Sequence, residues 1–288
     1  MNRGEIKKLL GIHGLAPSRK RGQNFLADPL MAESIVQAAG VTPGETVVEL
    51  GVGLGALTIP LARVAARVIG IELDSGIIDY HRRQKDLPEN VELRHQDMLK
   101  ADLTEIATNT GSPLKVIANL PYSVSSPLLF KLLESRDSIS YAALMLQKEL
   151  ADRLTAAPGS KDYSILTVLF AASAKVDKVL AVGPESFHPR PRVDSAVVRI
   201  EFMGREERES RFPPHDLKKL RRTVKVSFSQ RRKTLLNCLK SGGLIEGREE
   251  GEKILTRLGI DPATRAERLR VEEFIALSRS LFPNRPPE

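Results

Sequence analysis

A chain of 288 residues, 41% of them hydrophobic, has ample core for one large domain and a small one. No apolar run approaches membrane-spanning length, and the one cysteine, Cys238, excludes an intrachain disulfide and any cysteine-based metal cluster. Met1 to Lys8 hold no apolar segment with a small-residue cleavage site, so the expectation is a cytoplasmic protein without a secretory signal. The net charge of +8 is unevenly spread: residues 1–204 carry 24 Lys+Arg against 23 Asp+Glu, and residues 205–288 carry 20 against 13. Eight basic residues and no acid fall between Lys218 and Lys233, which points to a polyanionic partner for the C-terminal part.

Short β-branched runs predict strands over Thr46–Leu50, Val68–Glu72, Val91–Leu93, Lys115–Ala118 and Ala142–Leu146. Helices are predicted between them, over Pro29–Ala39, Ala56–Val64, Pro127–Leu133 and Gln147–Leu154. Such alternation implies an α/β, Rossmann-like, mostly parallel sheet with right-handed crossovers. Val176–Val182 and Ser195–Phe202 have no helix between them and read as an antiparallel addition at the edge. The charged stretch from Gly204 to Pro214 marks a domain boundary, giving domains over 1–204 and 205–288. Beyond it, Asp216–Val226, Arg231–Leu239, Glu249–Leu258 and Val271–Leu281 fit helices of a small basic domain.

The glycine-rich segment Glu49-Leu50-Gly51-Val52-Gly53-Leu54-Gly55-Ala56 falls at a strand-to-helix junction, where glycines let the backbone approach a ligand. The next strand ends in Glu72, 21 residues after Gly51, where a ribose diol would be held. These two features indicate a nucleoside-bearing cofactor and leave a nicotinamide dinucleotide and S-adenosylmethionine both open. Asp97 follows the third strand, within reach of an adenine amino group, and Glu49 faces the other end of the ligand. Three carboxylates suit a cation without phosphate, and so favour S-adenosylmethionine over a dinucleotide. The tetrapeptide Asn119-Leu120-Pro121-Tyr122 offers an amide oxygen, a bent backbone and an aromatic face. That set fits a planar group with an exocyclic nitrogen, and adenine, cytosine and glutamine-type amides all carry one. The Asn119 oxygen and the Leu120 carbonyl could accept the two hydrogens of that nitrogen and aim its lone pair at a methyl donor.

With these segments, Gly22-Gln23-Asn24-Phe25-Leu26, Phe187-His188-Pro189-Arg190-Pro191-Arg192-Val193-Asp194-Ser195 and Phe228-Ser229-Gln230-Arg231-Arg232-Lys233, the chain closely resembles the small-subunit ribosomal RNA adenine dimethyltransferases over nearly its whole length. The resemblance implies that Asn24 and Leu26 close over S-adenosylmethionine and that Gly51, with Gly53 in the same turn, lines its methionine part. Glu72 would hold the ribose, Asp97 the cofactor's adenine, and Asn119 both cofactor and target amine. Tyr122 and Phe187 would sandwich the target adenine. It further implies dimethylation of two adjacent adenosines in a hairpin near the 3′ end of the small-subunit RNA. The chemistry needs no metal. Nothing in the sequence suggests an obligate oligomer, so a monomer is expected, and a role in ribosome biogenesis is compatible with the methylation. Arg19-Lys20-Arg21 and the Lys218–Lys233 run would grip phosphates. Two departures are mild: Ser123 stands where Asn is frequent, and Arg192 where Lys is usual. The large-subunit methyltransferases that confer erythromycin resistance share the active-site roles, but tend to read Ile where this chain has Leu120.

Overall fold

Asn2 begins the fold. Its side chain accepts from the Glu5 amide at 3.0 Å and its own amide donates to the Glu5 carboxylate at 2.7 Å, a reciprocal cap that starts α1 (Arg3–Ile12). The computed structural model describes residues 1–18 and 22–283. In chain order come β1 (Phe25–Leu26), α2 (Pro29–Ala39), β2 (Thr46–Leu50), α3 (Thr58–Val64), β3 (Arg67–Glu72), α4 (Ser75–Gln84), β4 (Val91–His95), α5 (Leu103–Thr110) and β5 (Leu114–Asn119). Then follow α6 (Ser125–Glu134), β6 (Ile139–Gln147), α7 (Lys148–Leu154), α8 (Ile165–Ala171), β7 (Ala174–Val182), β8 (Phe187–His188) and β9 (Ser195–Phe202). The last helices are α9 (Arg205–Arg211), α10 (Leu217–Ser227), α11 (Leu235–Ser241), α12 (Arg248–Arg257) and α13 (Val271–Leu281).

Seven strands form one sheet in the order β4-β3-β2-β5-β6-β9-β7, and β1 pairs with β8 in a separate two-stranded ribbon. The run from β4 to β6 is parallel and β9 is antiparallel to β6, as the alternation predicts. The order of strands reverses between β2 and β5, so the carboxyl ends of β2, β3 and β5 open on one crevice. Val47, Val48, Val68, Ile69, Val116 and Ile117 are buried on both faces of this sheet, which is why these strands read as continuous apolar runs.

The chain divides into two compact units, Met1–Ala151 with Asp177–Phe202, and Asp152–Val176 with the residues from Met203 onward. The sequence reading draws one boundary after residue 204; the observed division gives Asp152–Val176 to the second unit. There α8 packs on α10 and α13, and the Tyr163 hydroxyl donates to the Leu269 carbonyl at 2.9 Å. The charged stretch after Gly204 is also more than a linker. It forms α9, whose Arg208 is buried and donates to the Met203 carbonyl at 2.6 Å. A third difference concerns Arg231–Leu239. The helix begins only at Leu235, with Thr234 as its cap, and Arg231 instead donates to the carbonyls of Lys161 and Tyr163. No helix among the described residues is long and apolar enough to cross a membrane.

Candidate active site

The site is built where β2 stops. Gly51, Gly53 and Gly55 have φ of 89°, 54° and 80°, a region that side-chain-bearing residues rarely adopt. The turn they make brings Gly53 N–H to the Glu72 carboxylate, with Gly53 N 2.9 Å from Oε2. The other oxygen, Oε1, accepts from the amides of Leu73 and Asp74, both at 2.8 Å. Three backbone donors therefore fix both oxygens of Glu72 at the end of β3. Asp97, just after β4, is held in the same manner, accepting from the Leu99 amide at 2.9 Å.

Glu49 has the opposite environment. It is 1% exposed, and its Oε2 has no hydrogen-bond partner among the described residues. Burial pushes its carboxyl up to about 8, with a Thr58 hydrogen bond opposing the rise and the nearby Glu72 charge adding to it. A buried carboxyl group with an unpaired oxygen, lining a cavity, fits a cationic ligand group that is able to pair with it.

Asn119 ends β5. Its side-chain nitrogen donates to the Asn24 carbonyl at 3.3 Å, which leaves the side-chain oxygen as a free-facing acceptor in kind. Pro121 then turns the chain into a single 3₁₀ turn over Tyr122–Val124. The Tyr122 ring is half-buried and its hydroxyl shares a hydrogen bond of 2.9 Å with Ser195 at the start of β9. Burial raises the phenol above its ordinary value while the Ser195 bond opposes the shift.

Asn24, Leu26, Glu49, Gly51, Gly53, Glu72, Asp97 and Asn119 all line one cavity of about 280 Å³. Pro121 lines it too, whereas Leu120, just after β5, is buried and is not among the lining residues. The structure corrects the expectation for Phe187. Its side chain is 1% exposed and belongs to the core cluster with Leu26, Ile35 and Val197, because β8 pairs Phe187 with Leu26 and turns the ring inward. Neither Phe187 nor Tyr122 is among the residues that line the cavity. Arg19-Lys20-Arg21 lie outside the described residues.

Several lining residues had no assigned role in the sequence reading, among them Phe25, Leu54, Leu73 and Met98. Phe25 and Met98 adjoin residues that were singled out, so adjacency alone could have found them. Among the described residues no Lys, Arg or His lines the cavity, and no group of three or more metal-ligating side chains occurs. The lining combines acids, amides and apolar groups, which suits a cationic nucleoside.

The family described as Ribosomal RNA adenine dimethylase matches residues 17–282. The Ribosomal RNA small subunit methyltransferase A of Desulfotalea psychrophila is 44% identical over 283 residues, covering 96% of this chain and 95% of that protein. Its counterpart from Geobacillus thermodenitrificans is 39% identical, covering 97% and 96%. Among solved structures, a dimethyladenosine transferase from Plasmodium falciparum aligns with a TM-score of 0.71 at 28% identity, covering 88% of this chain and 95% of that one. The 23S rRNA methyltransferase ErmE aligns at 0.64 and 25%, covering 89% and 99%. With its parallel sheet, its glycine-rich turn and a full-length match of this kind, the chain belongs to the ribosomal RNA adenine dimethylase family and is an rRNA adenine N6,N6-dimethyltransferase.

Proposed function

We propose that the chain uses S-adenosylmethionine to dimethylate N6 of two adjacent adenosines in a hairpin near the 3′ end of 16S small-subunit rRNA. The observation that carries this reading is one cavity lined by Glu49, Glu72 and Asp97, with no basic residue among the described lining, next to Asn119. Support for the small subunit comes from relatives named for it at 39–44% identity, against 25% for ErmE.

S-adenosylmethionine, when bound, supplies an electrophilic sulfonium methyl. The residues of the chain do the rest by position. Glu72, held by three amides, presents fixed acceptors to a ribose diol, and Asp97 presents one to an adenine amino group. Glu49 pairs with the positive charge of the methionine end. The Asn119 oxygen and the Leu120 carbonyl take the hydrogens of the target amine, which localises the nitrogen lone pair for in-line attack. No strong base is needed, because the methylated nitrogen is acidic and passes its proton to water. Tyr122 offers a face on which the extruded base stacks, worth ~1–3 kcal/mol. The exposed Lys218, Arg222, Lys225, Arg232 and Lys233 hold RNA phosphates. The enzyme acts as a cytoplasmic monomer with a role in subunit biogenesis.

Nucleoside analysis of small-subunit RNA after reaction tests the reading. N6,N6-dimethyladenosine at two neighbouring positions is the expected product. A monomethylated product alone, or a modified cytosine, would contradict it.

A further inference from the structure

His81 lies on α4, 3% exposed and with no part in the chemistry above. Its Nδ1 is 2.7 Å from the Asp86 carboxylate and its Nε2 is 2.8 Å from the Gly53 carbonyl. Both ring nitrogens are thus engaged, and an N–H at Nε2 donates to the Gly53 carbonyl. Gly53 is the residue whose amide donates to Glu72 at 2.9 Å. One peptide-bearing residue is therefore held from both sides, its N–H by the ribose-facing acid and its C=O by a buried imidazole. The backbone around His81 is shaped for this contact. Lys85 takes a left-handed conformation with φ of 51° after the last turn of α4, a strained choice for a residue with a side chain. That reversal returns Asp86 to the ring. Beyond it, a Cβ on Gly55 would meet both Leu87, at 3.5 Å, and His81, at 3.7 Å, so the segment after α4 forms the floor of the glycine-rich turn.

We infer that His81, oriented by Asp86, is a positioning residue that sets the Gly53 peptide for cofactor binding. The inference rests on reading the cavity as the S-adenosylmethionine site. A hydrogen bond from a buried ring to this part-buried carbonyl is worth enough to matter, yet the group touches no reacting atom. Its loss should act on cofactor affinity and leave the chemical step and RNA affinity unchanged. A Gln side chain places an amide N–H near the position of Nε2 and carries no charge, so it restores the bond to Gly53 without the Asp86 partner.

The test is calorimetric titration of S-adenosylmethionine with steady-state kinetics and a melting curve for each variant. The wild type must first bind the cofactor, and failure there refutes the reading of the cavity rather than the role of His81. His81→Ala should weaken binding about tenfold, equivalent to ~1.4 kcal/mol, and raise the cofactor KM alike, with kcat and the RNA KM within about twofold. His81→Gln should recover most of the affinity, and Asp86→Asn should weaken it by about threefold, on the scale of one hydrogen bond. Unchanged cofactor affinity in His81→Ala overturns the inference. So does a His81→Gln variant that melts like the wild type yet binds as weakly as His81→Ala, or a loss confined to melting temperature.

Discussion

The side-chain nitrogen of Asn119 donates to the backbone carbonyl of Asn24 at 3.3 Å, joining the end of β5 to the segment just before β1, 95 residues earlier in the chain. That bond commits the amide's donor to the fold and leaves its oxygen as the acceptor proposed to receive the target amine. Asn119→Ala removes the acceptor and the brace together. The expected result is a fall in single-turnover methyl transfer of about 10²–10³, the usual cost of deleting one preorganised polar group, with cofactor binding still detectable. Transfer within a few-fold of wild type would show that the oxygen is not used.

Glu49 makes the protein sensitive to pH. Its carboxyl is raised from 4.5 to about 8 by burial, so the folded, cofactor-free protein keeps a proton that the unfolded chain has already lost. The stability this contributes is fully present below about 4.5 and is lost as pH rises through about 8. The melting temperature without cofactor should therefore fall across that window, and Glu49→Gln should flatten the fall. Because a cationic ligand favours the ionised acid, S-adenosylmethionine should bind more tightly as pH rises toward 8 and release a proton on binding. Calorimetry in two buffers of different ionisation enthalpy measures that proton. Equal heats in both would contradict the pairing.

Phe187 separates packing from stacking. Its ring is fully buried between β1 and the core, so Phe187→Ala should destabilise the protein by about 3–5 kcal/mol, read as a large drop in melting temperature. Tyr122→Phe loses only the hydroxyl bond to Ser195 and should lower stability by about 1 kcal/mol while retaining the stacking face. A Phe187→Ala variant that melts like the wild type but turns over slowly would restore the stacking role.

Gly70 offers a steric test of the glycine-rich turn. A Cβ there would come within 2.6 Å of Val52 Cγ2, and the β-branched Val52 has little rotamer freedom with which to yield. Gly70→Ala should cost about 1–3 kcal/mol of stability and raise the cofactor KM, since Val52 lies between Gly51 and Gly53. An unchanged KM would mean that the turn absorbs the methyl elsewhere.

The basic run is not uniform. Arg231 donates to two carbonyls of its own unit, so Arg231→Ala should lower melting temperature. Lys218, Arg222 and Lys225 project from the exposed face of α10. Replacing those three with Ala should leave melting unchanged and reduce the salt slope of RNA binding by about 2–3, near 0.7–0.9 per phosphate contact. An unchanged slope would remove them from the RNA interface.

Sheet and cavity were largely legible because their signals are local. β-branched runs mark β2, β3 and β5, and the residues ending those strands necessarily face one crevice once the strands are parallel. What escaped the sequence depends on contacts distant along the chain. The helix α8 has no pattern separating its apolar run from a buried strand, and its membership of the second unit rests on its packing against α10 and α13. The helix α4 was hidden by Gly76 and by its run of His and Arg, which left no apolar stripe to read. His81 became visible only when the fold brought Gly53 to its ring. Phe187 was misplaced for a related reason: strand pairing decides which way a ring points, and the two-residue strands β1 and β8 carry no periodicity.

The most direct measurement is methyl transfer from labelled S-adenosylmethionine to separated small and large ribosomal subunits that lack their native modifications. The account predicts dimethyladenosine in the small-subunit RNA and none in the large. Label in the large-subunit RNA, or none in either while the cofactor still binds, would contradict it.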